Sequence, residues 1–253
     1  MYVPAARNLC ALHGHPVRSG RLDRMPLRDR LRQSPLYRLY VALKYRLRSD
    51  TREELFTGFY KGNLWGDSES RSGAGSSLAQ TERLRAELVP LLRDLGVTSL
   101  LDAPCGDFAW MQHVDLGDIT YIGGDIVSDI VTALQREHGC PGREFRRVDL
   151  VSDDLPKVDA VMVRDLLLHL PNKLVAQATG NVRRSGATWL LASHYPGSTS
   201  NPDIQMGQNR SPNMTLAPFG WPQPLRVIEE KPATAEDRPD KQLAVWRLAD
   251  LPA

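Results

Sequence analysis

Two periods of hydrophobicity divide the chain. Leu84, Leu88, Leu91, Leu92 and Leu95 share one face of a helical pattern running from Thr81 to Leu95, and Gly96 stops it. From there short apolar runs of strand type alternate with helical segments. "TSLLDA" (98–103), "ITYIGGDI" (119–126), "EFRRVDL" (144–150), "VDAVMVRD" (158–165) and "ATWLLASH" (187–194) are predicted strands. "IVTALQREH" (130–138) and "NKLVAQATGNVRR" (172–184) are predicted helices between them. Strands spaced by crossovers predict a mostly parallel sheet covered by helices on both faces. "LRVIEE" and "QLAVWRL" add two closing strands, read as a hairpin on the sheet edge.

Upstream the pattern differs. Leu36, Leu39, Tyr40, Leu43 and Leu47 recur at helical spacing with Arg38, Lys44, Arg46 and Arg48 between them, which predicts a basic amphipathic helix. It is read as a helix docked on the domain with a solvated Arg face, against a lid over a cleft or a contact with a membrane surface or polyanion. Residues 1–24 lack periodicity and are read as a flexible basic tail, with Met25 a second candidate start. Residues 60–77 and 195–225 are loops by composition. Loops this long inside a compact domain point to function, and Phe219 and Trp221 give the second one anchors. The expected organisation is a tail (1–24), a helical extension with a site loop (25–77) and an α/β domain (78–253).

Composition adds three limits. The 253 residues carry a net charge of only +2, but residues 1–50 hold eleven basic and three acidic side chains, so that segment is +8 and the remainder −6. Three scattered cysteines, Cys10, Cys105 and Cys140, form no CxxC pair, which argues against a disulfide framework or zinc site and for a cytoplasmic protein. No stretch has the apolar length of a membrane span, and the first residues lack a signal core.

The candidate chemistry lies at the strand ends. The first four strands end in Asp102, Asp125, Asp149 and Asp165. In an open α/β sheet ligands bind outside the carboxyl ends of the strands, so parallel strands would line one edge with four carboxylates. A dinucleotide fingerprint needs G-x-G-x-x-G, whereas the first turn reads Asp102-Ala103-Pro104-Cys105-Gly106-Asp107. Acids on both sides of that turn would repel a pyrophosphate and suit a cationic amine or sulfonium.

On these residues the chain resembles class I S-adenosylmethionine-dependent methyltransferases, over roughly Trp65 to the C-terminus. "WGDSESRSGAGSS", "YIGGDIV", "RDLLLHLP" and "NPDIQMGQNRSPNMTLAPFGWPQP" resemble a bacterial subgroup of them. The resemblance implies a Rossmann-like, doubly wound, mostly parallel seven-stranded sheet with a C-terminal antiparallel strand. It implies that the turn from Asp102 through Ala103 to Gly106 holds the methionine part of the cofactor. Asp125 would bond the ribose hydroxyls and Ile126 pack on the adenine. Asp149 would read the adenine amino group beside Leu150, and Arg164 and Asp165 would carry the fourth-strand motif. Ala103 and Cys105 stand where two glycines are usual in that family.

For the acceptor, the Asn/Asp-Pro-Pro-aromatic motif of base amino methylation is missing from "RDLLLHLP". So are a nucleophilic cysteine and the paired glutamates of arginine methylation, since Glu229 and Glu230 fall in a late strand. These absences favour O-methylation of a small molecule or glycan over nucleic acid. A hydroxyl acceptor needs a base. His169 is weighed evenly as that base and as a packing residue among leucines, with Asp165 the second catalytic candidate. Trp65, His194 and Asn213 are substrate candidates, with Asn201, Asp203, Asn209 and Arg210 as further hydroxyl-binding groups. The acceptor expected is a sugar, of mannoside-like oligosaccharide type. Mg2+ has only Asp165 in its favour, and one carboxylate is no metal motif. A homo-oligomer is left open. The rivals are an NAD-dependent sugar-modifying enzyme and a nonenzymatic protein binding membranes or polyanions through its basic extension.

Overall fold

The computed structural model describes residues 51–65, 69–230 and 239–252, with Tyr40, Leu43, Lys44 and Ser49 besides. The tail at 1–24 and most of the predicted basic helix lie outside the described residues. Tyr40, Leu43 and Lys44 are helical, with Tyr40 and Leu43 59% and 48% exposed.

Helix α1 (Arg52–Lys61) begins at a capping box. Thr51 Oγ1 accepts from the Glu54 amide, and Glu54 Oε2 accepts from the Thr51 amide, each at 3.2 Å. It buries Leu55, Phe56 and Phe59. Helix α2 (Glu82–Asp94) buries the predicted Leu84, Leu88 and Leu92, and Gly96 follows it at φ +70°. Helices α3 (Ser128–His138) and α4 (Asn172–Arg184) cover the predicted segments.

The strands are β1 (Ser99–Asp102), β2 (Thr120–Asp125), β3 (Arg143–Arg147), β4 (Ala160–Val163), β5 (Trp189–His194), β6 (Arg226–Glu229) and β7 (Gln242–Arg247). They form one sheet in the order β3-β2-β1-β4-β5-β7-β6. The first five are parallel, and β7 is antiparallel to both β5 and β6. The predicted closing hairpin is therefore folded back so that its second strand joins the sheet and its first becomes the edge. The central strand β4 is apolar and buried throughout, as a strand covered on both faces requires. The opposite edge strand β3 buries only Phe145 and shows Arg and Glu outward, which discourages edge pairing.

Connections run outward from β1 in both directions, through β2 to β3 and through β4 to β5. The crevice at this reversal lies over the carboxyl ends of β1 and β4. Two glycines permit the close packing beside it. At Gly123 a Cβ would fall 2.4 Å from the Phe145 ring. At Gly106 the backbone is left-handed (φ +55°) and a Cβ would fall 2.3 Å from Ser72 Oγ. Among the described residues no helix is long and apolar enough to cross a membrane.

Candidate active site

A cavity of about 470 Å³ opens at the crevice, within the usual range for a small-molecule site. β3 and β4 end two residues earlier than read, at Arg147 and Val163, so Asp149 and Asp165 stand just beyond their strands; Asp102, Asp125 and Asp165 all reach the cavity.

The turn after β1 is held by its neighbours. The Ala103 amide donates to the Met162 carbonyl and the Cys105 amide to the Gly124 carbonyl. Asp125 clamps the turn from β2. Its Oδ2 accepts from the Gly106 amide at 3.1 Å and its Oδ1 from the Val127 amide at 2.9 Å. Asp102 accepts from the Tyr121 hydroxyl at 2.7 Å. Burial pushes Asp102 up to about 7, although the Tyr121 hydrogen bond opposes this. Burial likewise raises Asp125 to about 6, against the pull of its amide donors. Asp107 faces the other way. It accepts from Ser70 Oγ, Ser72 Oγ and the Arg71 amide, which fastens the "SRSGAGS" segment over the turn.

Asp149 sits in a narrow side slot off the main cavity, walled by Ala103, Pro104, Ile126, Leu150 and Leu166. Arg52 of α1 donates to Asp149 Oδ2 from Nε at 3.0 Å and from Nη2 at 2.6 Å. The slot joins the predicted adenine-side residues Ile126, Asp149 and Leu150 with Ala103 of the turn expected at the methionine part, and adds Arg52 and Phe56, which the sequence reading missed.

Beyond β4 the chain turns through Asp165 in the left-handed region (φ +58°), unusual for a residue with a side chain. The Asp165 amide donates to Ser193 Oγ, and that hydroxyl donates back to Asp165 Oδ1 at 3.0 Å. Lys241 Nζ reaches Asp165 Oδ2 at 2.6 Å, and Arg164 Nη1 approaches it at 3.3 Å. Burial alone would raise this carboxyl, but the two cations hold it well below the usual carboxylate range. The Asp165 carboxylate is thus held between two cations at the cavity. Arg164 is buried, with Glu230 and the Gly75 carbonyl as partners, so its part at the cleft is to carry charge and tie the segment around Gly75 to the end of β6.

His169 and Trp65 line the same cavity, with ring centroids 5.3 Å apart. His169 Nδ1 lies 2.9 Å from the Gln208 carbonyl oxygen. A carbonyl only accepts, so Nδ1 carries the proton and Nε2 is the basic nitrogen.

Two substrate candidates do not line the cavity. His194 is 2% exposed, its Nδ1 accepts from the Met214 amide, and it packs edge-on to Trp246. Burial lowers it to about 4, so it serves as a neutral packing residue. Asn213 is buried and turned into its own loop, where its amide donates to the Pro196 and Ser198 carbonyls. Asn201 and Arg210 do similar work on loop carbonyls, and Asp203 accepts from the Asn172 amide at the start of α4. A loop folded into the body has buried backbone polar groups to satisfy, and these side chains satisfy them. Of that polar set Asn209 lines the cavity. His138, at the end of α3, is half-buried against Phe108.

Tyr60, Trp110, Tyr195, Glu230 and Lys241 also line the cavity and were not foreseen. Among the described residues no group of three or more His, Cys, Asp or Glu is placed to hold a metal ion.

No family model matches the chain, and no curated protein matches it. Solved structures do. PigF with SAH is 16% identical over 86% of this chain and 72% of its own, with a TM-score of 0.56. The methyltransferase domain of bacterial CtHen1 is 11% identical over 68% of this chain and 100% of its own, at 0.47. CalS10, an amino pentose methyltransferase from Micromonospora echinaspora, is 19% identical over 43% of this chain and 48% of its own, at 0.37. The protein is built on the Rossmann-like fold of the class I S-adenosylmethionine-dependent methyltransferases, with a mostly parallel seven-stranded sheet closed by an antiparallel strand.

Proposed function

We propose that the protein is an S-adenosylmethionine-dependent O-methyltransferase acting on a hydroxyl of a small molecule, a sugar or oligosaccharide. The observation that carries the proposal is one cavity bordered by two kinds of group. Asp102 and Asp125, buried and, among the described residues, without a cation bonded to either, stand at one end, and His169 with Trp65 at another. Buried carboxylates of raised proton affinity suit a ligand bringing positive charge, and they disfavour a pyrophosphate. The donor set therefore fits S-adenosylmethionine and not NAD.

In this reading Gly106 and Ala103 flank the methionine part and Asp102 faces its positive charge. Asp125 takes the ribose hydroxyls, and the slot of Ile126, Asp149 and Leu150 takes the adenine. Bound there, S-adenosylmethionine supplies a methyl group already activated by a sulfonium and leaves as S-adenosylhomocysteine. The chain's own contribution is placement and a proton acceptor. His169, its tautomer fixed by the Gln208 carbonyl, accepts the hydroxyl proton at Nε2 as the acceptor oxygen attacks. Trp65 buttresses the imidazole and offers a flat apolar face to the acceptor.

Calorimetric titration with S-adenosylhomocysteine, with NAD as control, tests the cofactor, and saturable binding of the first alone is expected. His169→Ala is expected to lower methyl transfer by about 10²–10⁴-fold, the usual range for a lost general base. Its affinity for S-adenosylhomocysteine should stay within about twofold of the parent. A parallel loss of that affinity would move His169 from catalysis to cofactor binding.

A further inference from the structure

We propose that Asp165 and Lys241 form a recognition pair for two neighbouring hydroxyls of an uncharged acceptor, which makes Lys241 a specificity-determining residue. The inference rests on the methyl-transfer reading above and names the class of acceptor for it.

Four charged side chains meet where β4, β5, β6 and β7 converge on the cavity. Arg164 and Lys241 oppose Asp165 and Glu230, so the cluster is neutral as a whole. Arg164 and Glu230 are consumed by one another. The guanidinium gives Nε and Nη2 to the Glu230 carboxylate and Nη2 also to the Gly75 carbonyl, and the two side chains are 5% and 2% exposed. Asp165, at 29%, and Lys241, at 12%, form the face of the cluster turned to the cavity.

Their remaining capacity is specific. An ammonium has three N–H groups, and Lys241 commits two, to Asp165 Oδ2 at 2.6 Å and Glu230 Oε2 at 3.3 Å. A carboxylate oxygen has two lone pairs, and Asp165 Oδ1 gives one to the Ser193 hydroxyl. One donor and one acceptor thus remain side by side. Hydroxyls on adjacent saturated carbons stand about one hydrogen bond apart, and each both donates and accepts. They match the pair, one donating to Asp165 and the next accepting from Lys241.

Charge narrows the choice. An anionic acceptor would meet Asp165 and Glu230, and a cationic one would meet Lys241 and Arg164, in a place where burial amplifies either repulsion. A neutral polyol meets neither penalty. Space is kept for it by Gly75, whose backbone φ lies outside the positive range. A Cβ added there would stand 3.5 Å from Asp165 Oδ2 and 3.7 Å from Lys241 Nζ, over the pair itself. The left-handed backbone of Asp165, costly for a residue with a side chain, aims the carboxylate at this point.

The test uses the full chain saturated with S-adenosylhomocysteine. It is titrated calorimetrically with methyl α-glycosides of mannose, glucose and galactose and with their singly deoxygenated counterparts. At least one glycoside should bind, and removing one hydroxyl of the recognised pair should weaken it at least tenfold. In Lys241→Met that ratio should fall below threefold, while affinity for S-adenosylhomocysteine stays within threefold. Gly75→Val should weaken the same glycoside at least tenfold with all four charges in place, which keeps the idea falsifiable if Lys241→Met folds poorly. An undiminished ratio in Lys241→Met, unaltered binding in Gly75→Val, or no glycoside binding by the saturated parent would each overturn the inference and leave the methyltransferase reading standing. Failure of the parent to bind S-adenosylhomocysteine would instead remove the reading beneath it.

Discussion

Asp102 and Asp165 occupy the ends of adjacent strands and border one cavity, yet their proton affinities diverge. Burial raises Asp102 to about 7, against the pull of the Tyr121 hydroxyl and of the Arg164 charge. Burial acts on Asp165 in the same direction, and Lys241 and Arg164 more than reverse it. Asp125 sides with Asp102, raised by burial and restrained only by backbone amides. Among the described residues no cation is hydrogen-bonded to the carboxylates of the β1–β2 end of the cleft, whereas the β4–β7 end is balanced internally. The first is suited to a ligand that brings positive charge and the second to one that brings none.

The largest effect should come from unbalancing the balanced end. Glu230→Leu leaves the buried Arg164 with Asp165 and a carbonyl for partners. Removing one member of a buried pair costs about 3–5 kcal/mol. At about 2–4 °C per kcal/mol for a chain of this size, Tm should fall by roughly 6–20 °C in calorimetry. A loss below about 1 kcal/mol would mean that water replaces the carboxylate and that this end is wetter than its burial implies.

At the other end the expected cost falls on binding. Asp125→Ala removes the acceptor of the Gly106 and Val127 amides and should weaken S-adenosylhomocysteine binding by about 100-fold, or about 2.7 kcal/mol. Unchanged affinity would refute the assignment of the second strand end.

The proton affinities give a third comparison. A carboxyl whose folded pKa is raised stabilises the fold fully below its unfolded value, near 4, and loses that contribution as pH rises through the folded value. Asp102 should therefore cost stability between about pH 4 and 7. Asp165, depressed, contributes above about pH 4 and loses its contribution on acidification below that. Asp102→Asn should gain on the parent by about 2 kcal/mol between pH 5 and pH 8, read from paired unfolding curves. A constant difference would place the carboxyl in contact with solvent.

What the sequence revealed divides along physical lines. Strands β1 to β5 and helices α2 to α4 were legible because each is a local pattern, period against period, and the acids at the ends of β1 and β2 stood where they were read, whereas Asp149 and Asp165 fall two residues beyond β3 and β4. The second closing strand was legible, but its insertion between β5 and β6 was not, since antiparallel order is decided by pairing and not by period. Thr51-Arg52-Glu53-Glu54 carried a readable signal for α1, the capping box, which the sequence reading passed over. Asn213 misled because a polar residue in a loop reads alike whether it faces a ligand or its own backbone carbonyls, and His194 because the end of a strand reads alike whether its side chain faces the crevice or packs beneath a loop. Lys241 and Glu230 carried no local signal. Lys241 is 76 residues from Asp165, and only the closing of the sheet brings them together.

The third strand end is the smallest and finest test of the comparison, because Asp149 has a cation but not a sealed one. Arg52 is 27% exposed, and solvent screening limits such a pair to about 0–1 kcal/mol. Arg52→Met should therefore shift Tm by no more than about 4 °C. Its effect on binding carries more information. Asp149 Oδ2 already accepts from Arg52 and Ser152, and its Oδ1 accepts from the Val151 amide. An adenine amino group that approaches this carboxylate at Oδ2 competes with Arg52 there. Freed of that competitor, the variant should bind S-adenosylhomocysteine up to about threefold more tightly and lose salt dependence that the parent shows. A clear weakening would reverse the assignment, making Arg52 the tie that holds α1, with Phe56 and Tyr60, against the cleft while the ligand is bound.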